Sequence, residues 1–412
     1  MKEKYTVILV FLVSVVLTNS NYYAQQRDSV PVPENKTSKF TFSGYVDFNY
    51  FKNLNNPRSG SNLGLSGSAR AFDQKENQFQ LGLAQTKITY TRAKSDVMID
   101  LTFGPHADLG NYGNVIGPLG NGYSSSSIAI KQAYFNYKFT KKFTFTAGQF
   151  GTHVCYEFID APLNYNYSLS NLFNNGPFYH LGIKGSYALN KKIIVMAGIV
   201  NNWDNLYDNN KFKTAIAQVN VLVSNNFTVI ANYIGGHETT NSASYRNHIR
   251  AANDSLSTNN FKQLLDLIIT YKISPKFTLA INAVAGALNG KQTSVSDTTK
   301  KVNYTNNWGG VALYLNYQFT KKFGLGIRSD FFDNTAGVMY IGKTDVHSTT
   351  LTGRFSLDED HLFIKPEVRM DIYKKLNYTG PSATNIQQFE DSKGYFTKNS
   401  QITVGMAFVY VF

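Results

Sequence analysis

Four cations, Arg328, Arg354, Lys365 and Arg369, lie on three neighbouring stretches of alternating apolar and polar residues, while Glu157 and Asp160 lie among Tyr156, Phe158, Tyr165 and Tyr167 in the segment 151–177. Cations on one side of an aqueous passage and carboxylates on the other set up a transverse field that orients dipolar or charged solutes at a constriction. The alternative is a wall whose charges only hydrate and rigidify it by pairing with each other. Signatures of covalent or metal chemistry are weak. His237-Glu238 is followed at 241 by Asn, not by the second His of a zinc-hydrolase helix, and no Gly-x-Ser-x-Gly elbow occurs. The acidic stretches Asp204 to Asp208 and Asp358-Glu-Asp360 lack calcium-loop spacing. Cys155, alone and beside aromatics, reads as a packed thiol. No catalytic residue, metal site or cofactor is expected.

Strands must hold these side chains. Along 361–373, Leu362, Ile364, Val368, Met370 and Ile372 share one face and Lys365, Glu367, Arg369 and Asp371 the other. Lys or Arg facing lipid at midplane costs about 2–4 kcal/mol each, so this second face belongs to water. The same alternation turns Arg328 and Asp330, beside Gly324 and Gly326, inward, together with Arg354, Lys138, Lys184, His180, Asp100, Asp266 and Lys272. The unit that repeats is a hairpin. Phe-Thr-Lys-Lys-Phe occurs at 139–143 and again at 319–323. Before the first copy Ala133, Phe135, Tyr137 and Phe139 form an oily face and Gln132, Tyr134, Asn136 and Lys138 a wettable one.

Sixteen such segments follow one another: 40–51, 77–92, 96–104, 128–139, 143–150, 178–189, 192–202, 211–223, 227–236, 261–273, 276–288, 304–319, 322–333, 347–357, 361–373 and 396–412. Their connections alternate strictly between short turns and long loops, the asymmetry of an even-stranded outer-membrane barrel with short periplasmic turns and long extracellular loops. A soluble sandwich or propeller also uses short strands, but its outer face would carry charges, and here the oily faces stay clean. The expected fold is therefore all-β, a sixteen-stranded antiparallel transmembrane β-barrel. In 77–92 the apolar phase shifts after Leu83, which predicts a bulge. The final face, Ile402, Val404, Met406, Phe408, Tyr410 and Phe412, ends on an aromatic residue, the type of closing strand that barrel-assembly machinery recognises.

Composition fits export to a Gram-negative envelope. Lys2 and Lys4 precede the apolar run 7–17, so residues 1–24 read as a signal peptide, 25–39 as a periplasmic linker carrying Pro31 and Pro33, and 40–412 as the barrel. That apolar run is too short for a membrane-spanning helix, and a single cysteine excludes an intramolecular disulfide. The formal charge is +13, or +12 once Lys2, Glu3 and Lys4 leave with residues 1–24. Because the basic residues are dispersed, they point to attraction of anionic solutes, or of the charged outer leaflet, rather than to nucleic acid.

The stretches Gln132-Ala-Tyr-Phe-Asn-Tyr137, Thr146-Ala-Gly-Gln-Phe-Gly151, Tyr156-Glu157, Ile159-Asp-Ala-Pro-Leu-Asn-Tyr-Asn-Tyr-Ser168 and Asn175-Gly-Pro-Phe-Tyr-His180 resemble the OmpL-like β-barrel porin-2 family, common in Bacteroidetes. The resemblance covers most of 40–412 and implies an outer-membrane channel, without naming a solute or site residues.

The segment 151–177 is the candidate constriction loop, with Glu157, Asp160, Tyr165 and Tyr167 as its site residues and Pro162, Gly176 and Pro177 fixing bends. Two placements are open: folded inward, with its carboxylates across from the basic wall of Arg328, Arg354, Lys365 and Arg369, or packed over the rim as a lid. The expected function is a passive porin for small hydrophilic solutes. Its rivals are a channel selective for a sugar or peptide, a surface-binding barrel displaying loops without conductance, and lipid hydrolysis in the barrel wall. Expected partners are outer-membrane lipid, the assembly machinery and solutes, with a homo-oligomer open.

Overall fold

The computed structural model describes residues 38–412 except 110–127, 205, 207, 209, 211, 239–259, 294–300, 340 and 375–386. The signal peptide expected over 1–24 and nearly all of the linker expected over 25–39 lie outside the described residues.

Sixteen antiparallel strands close into one barrel: β1 (Lys39–Asn53), β2 (Gln78–Thr91), β3 (Ser95–Phe103), β4 (Ile128–Lys138), β5 (Phe143–Gly151), β6 (Tyr179–Ala188), β7 (Ile193–Val200), β8 (Thr214–Ser224), β9 (Phe227–His237), β10 (Phe261–Ser274), β11 (Phe277–Thr293), β12 (Lys301–Gln318), β13 (Phe323–Asp333), β14 (Asp345–Leu357), β15 (Leu362–Tyr373) and β18 (Ser400–Val411). Successive strands pair, and β18 pairs with β1 from Tyr45↔Val411 to Asn53↔Thr403. The terminal residue completes this seam, since Gly44 N donates to Phe412 O at 2.9 Å and Phe412 N to Gly44 O at 3.0 Å. Closure leaves no unpaired strand edge, the condition for placing a sheet in hydrocarbon.

Two places differ from the alternation: β11 runs on to Thr293 and β12 begins at Lys301, where the alternation ends and resumes at 288 and 304, and the last strand begins later than 396. Residues 396–398 do not begin the last barrel strand but pair as β17 (Phe396–Lys398) with β16 (Phe389–Glu390) in a small hairpin outside the barrel. Phe389 packs edge-on against Tyr373, with ring centroids 5.2 Å apart, which draws this segment to the extracellular end of β15.

Turn chemistry explains why the hairpins form where they do. In both copies of the repeated pentapeptide a threonine hydroxyl closes the turn: Thr140 Oγ1 accepts from Lys142 N (3.1 Å) and Phe143 N (2.9 Å), and Thr320 Oγ1 from Lys322 N (3.2 Å) and Phe323 N (3.0 Å). Asn190 Oδ1 and Ser274 Oγ cap their own turns in the same way. The flanking rings stack in parallel fashion, Phe139 on Phe143 at 6.0 Å and Phe319 on Phe323 at 5.6 Å. These rings form part of an aromatic girdle at the periplasmic rim.

The outer wall carries exposed apolar residues on nearly every strand, among them Phe42, Val97, Phe135, Ile183, Val219, Leu265, Val311, Ile327, Val368 and Met406. Water would penalise such a surface, whereas lipid accepts it. The inner wall is less uniformly polar than alternation predicts. Ile216, Ile230, Ile234, Leu264, Ile268, Ala280, Val284 and Ala312 all point inward from β8–β12 and are buried. All but Ile230 and Ile268 join one buried cluster with Val154, Cys155, Leu172 and Phe173, from the chain folded inside the barrel.

Candidate functional site

Between β5 and β6 the chain does not leave over the rim. It crosses the lumen and hydrogen-bonds to inward side chains of most of the barrel. Cys155 N donates to Asp266 Oδ2 on β10 (3.1 Å) and Tyr156 N to Asn282 Oδ1 on β11 (3.2 Å). Asp160 accepts from Lys131 on β4 and from Gln85 Nε2 on β2 (2.7 Å). Tyr167 Oη donates to Asp47 Oδ2 (2.5 Å) and accepts from Asn49 Nδ2 (2.7 Å), both on β1. Asn171 Nδ2 reaches Asp330 on β13 (2.7 Å) and Ser348 on β14 (2.8 Å) before the short helix Asn171–Asn174 leads back to β6.

Strand β15 is the principal clamp. Lys365 Nζ donates to the carbonyls of Ala161 (2.7 Å) and Asn164 (2.6 Å), and Arg369 Nη1 to that of Leu169 (2.6 Å). Between them Glu367 accepts from the backbone N–H groups of Tyr167 (2.7 Å) and Ser168 (3.0 Å). The plus–minus alternation of this inner face therefore matches alternating carbonyl and amide groups of the inner loop. Arg328 adds Glu157 at 2.8 Å, the Ser168 carbonyl, and Asp330 at 3.2 Å. A hydrogen bond to a charged group contributes about 1.5–3 kcal/mol net, so these groups fix the loop firmly.

This geometry corrects the picture of a basic wall facing carboxylates across water. Arg328 and Lys365 are 0% exposed and Arg369 1%. Three of the four wall cations touch the loop directly, because its backbone offered more carbonyl acceptors than its two carboxylates. Glu157 and Asp160 also separate, one to Arg328 on β13 and the other to Lys131 on β4. Arg354 differs from the other three. It is half-buried, with its guanidinium 4.4 Å from the Phe363 ring and 5.7 Å from that of Tyr165. Tyr165 lies over Gly324 and Gly326, where an added Cβ would come within 2.0 Å of its Oη and 2.4 Å of its Cδ1. Those two glycines are the seat of the ring.

Burial also sets the loop's acid–base character. Burial and Glu157 push the Tyr156 phenol up to about 12, and burial raises Tyr165 to about 12 against the pull of Arg354. Burial, then Asp266 and Glu157, push the Cys155 thiol well up, in keeping with a packed thiol. Asp160 goes the other way. Its burial would raise it, but Lys131 and Lys87 hold it below the usual carboxylate range.

Two elements escape sequence reasoning. The first is the loop after β1, in which Arg70 is fully buried inside the barrel and donates to Asp371 (2.8 Å), Thr403 (3.1 Å) and Asp73. Phe72 follows it and meets Phe173 and Phe178 of the inner loop. The second is Lys131, which alternation assigns to lipid. The β3–β4 pairing slips between Asp100↔Gln132 and Leu101↔Ile130, so Lys131 is the extra residue of a bulge and turns inward beside Gln132. The bulge predicted after Leu83 is present too, with register shifting between Val46↔Ala84 and Phe48↔Leu81.

The inner loop hugs β1, β2 and β9–β15, reaches β4 through Asp160 and Lys131, and leaves a space along the inner faces of β4–β8. A cavity of about 110 Å³ lies there, lined by Lys131, Thr146, Lys184, Ser186, Gln218 and Asn220 from the wall and by Glu157, Phe158 and Asp160 from the loop.

A closed, lipid-faced barrel of sixteen strands with a loop clamped across its lumen defines the class of outer-membrane porins. Residues 39–412 match the family described as "Putative beta-barrel porin-2, OmpL-like", and the chain belongs to it. It is an outer-membrane porin. The barrel is similar to that of OmpT from Vibrio cholerae in its trimer form (TM-score 0.55, 11% identity, covering 91% of this chain and 99% of that one). It is also similar to the anion-selective porin from Comamonas acidovorans (0.55, 10%, 91% and 100%) and to Salmonella typhi OmpF in complex with daunomycin (0.55, 13%, 91% and 98%). At such identities the likeness is one of fold. No curated protein matches the sequence.

Proposed function

We propose that small hydrophilic solutes diffuse passively through the side of the lumen between the inner loop and β4–β8, and that the loop is a fixed constriction rather than a moving gate. The observation that carries this reading is the clamp on β15. Lys365, Glu367 and Arg369 are committed to the loop backbone, so the covered side offers no route while the polar face of Thr146, Ser186, Gln218 and Asn220 remains open to the cavity. In this account Glu157, Asp160, Tyr165 and Tyr167 set the shape of the passage. Arg328, Lys365 and Arg369 hold the loop, and Arg354 faces the lumen beneath it. The protein works as a channel, not as an enzyme, and needs no cofactor. Its aromatic outer wall and closing strand fit a lipid environment and recognition by the assembly machinery. A homo-oligomer is compatible with the same reading, since the similar Vibrio cholerae OmpT is described as a trimer form.

Single cysteines placed in a C155S background test the route. A charged thiol reagent is expected to block current through Ser186→Cys and Gln218→Cys and to leave Thr352→Cys, beneath the loop, unaffected. Equal block at all three positions would refute an off-centre passage.

A further inference from the structure

We infer that Arg354 and the periplasmic underside of the inner loop form a binding site for short aliphatic carboxylates, the carboxylate on the guanidinium and the chain against Leu163 and Tyr165. The inference rests on the reading of the lumen as the solute route. Among the described residues Arg354 makes no hydrogen bond or ion pair, and its buried Nε has no partner. Its contacts are the rings of Phe363 at 4.4 Å and Tyr165 at 5.7 Å. Contacts of this kind hold a guanidinium in place without using its N–H donors as hydrogen bonds. The planar fork that matches a carboxylate bidentately is therefore left for a solute.

The described residues around Arg354 give it no carboxylate. Its register partner on β13 is Gly324, which has no side chain. On β15, Lys365 lies at the same level, since the pairs Thr352↔Glu367 and Phe355↔Ile364 bracket both residues. Lys365 is held by two carbonyls rather than by an acid, so it adds a second positive charge beside Arg354. Glu367, the next inward acid, is taken by Tyr167 N, Ser168 N and Thr352 Oγ1. Asp358, Glu359 and Asp360 are exposed in the turn beyond Leu357, where Asp360 accepts from Ser356.

The apolar half of the site comes from the loop. Leu163 is 56% exposed, although its neighbours Ala161 and Tyr167 are buried and the loop lies inside the barrel, where no lipid reaches it. The bonds from Lys365 to Ala161 and Asn164 pin the turn that carries Leu163 beside the Arg354 level of the wall. A leucine turned to the water of a lumen does nothing for folding, whereas next to an open guanidinium it can take the chain of an amphiphilic anion.

Modification of the purified protein in detergent by phenylglyoxal, an arginine reagent, with peptide mapping by mass spectrometry, tests the site. Arg354 is expected to react while Arg328 and Arg369, buried against the loop, do not. Sodium pentanoate should protect Arg354 saturably, at concentrations about fivefold or more below those acetate needs, because its extra methylenes leave water. 1-Pentanol should give no protection, and exposed Arg92 should react at one rate throughout. Leu163→Ser should bring pentanoate to the level of acetate. An Arg354 that stays unreactive in the folded barrel, that pentanoate does not protect, or that acetate protects equally well would overturn the inference. Conductance of the wild type in KCl reads the porin account separately: a conducting barrel whose Arg354 pentanoate does not protect refutes the site alone, and a non-conducting barrel whose Arg354 it does protect refutes the route alone.

Discussion

Arg328 on β13 donates to Glu157 of the inner loop at 2.8 Å, although 171 positions separate the two residues in the chain. Both are buried, and the same guanidinium also holds Asp330 and the Ser168 carbonyl. Removing one partner of such a pair leaves the other charged and buried, which costs about 3–5 kcal/mol. Arg328→Ala is therefore expected to lower the urea midpoint of the purified barrel and to make single-channel current noisy. A quiet, equally stable variant would show that the pair does not anchor the loop.

Gly326 tests the seat of Tyr165. A Cβ there would lie 2.4 Å from Tyr165 Cδ1 and 2.8 Å from Asn316 Oδ1, so Gly326→Val must move the ring. Overpacking of this kind costs about 1–3 kcal/mol. The predicted result is a shifted conductance with the barrel still heat-modifiable on gels, and restoration of the wild-type conductance when Tyr165→Ala is added.

Much of this architecture was legible in the sequence, for a physical reason. A strand exposes alternate faces, so Arg328, Lys365, Glu367 and Arg369 had to point inward once the oily face was given to lipid. The partners of those charges were not legible. Lys365 binds carbonyls of Ala161 and Asn164, and a backbone carbonyl carries no residue-type signal. Lys131 was hidden by a bulge, which shifts the two-residue period by one. Arg70 was hidden because the connection after β1 has no periodicity that fixes where a side chain points. In Lys365 to Asp371 the alternation of sign was itself a clue: a wall meant only for solutes needs no such order, and a docked extended backbone does.

pH separates two loop carboxyls. Asp204, after β7, is pushed up to about 7 by burial, against hydrogen bonds from Phe178 N (2.5 Å) and Tyr179 N (3.1 Å). A folded-state pKa above the unfolded value of about 4 means that stability falls as pH rises from about 4 to about 7 and levels off beyond. The urea midpoint is expected to be higher at pH 5 than at pH 8, with Asp204→Asn removing most of the difference. An Asp204→Asn protein with the wild-type slope would assign that slope to another group.

Asp160 has the opposite sign. Its burial is outweighed by Lys131 and Lys87, so its folded pKa lies below the unfolded value of about 4, and its stabilisation is complete above that value and lost as pH falls below it. Conductance should be flat between pH 5 and 8 where Asp160 is concerned. Asp160→Asn at pH 7, which leaves Lys131 without its closest anion, is expected to raise anion over cation permeability in reversal-potential measurements; an unchanged ratio would place Lys131 outside the conducting path.

The loop between β5 and β6 crosses the lumen, and in the proposed function it narrows the passage. Deleting residues 160–172 removes the segment held by Lys365, Glu367 and Arg369, and single-channel conductance in planar bilayers, compared with wild type in the same salt, reads the consequence directly. A severalfold rise is expected if the loop is the constriction. A deletion variant that inserts as a folded barrel and conducts no better than wild type would contradict it.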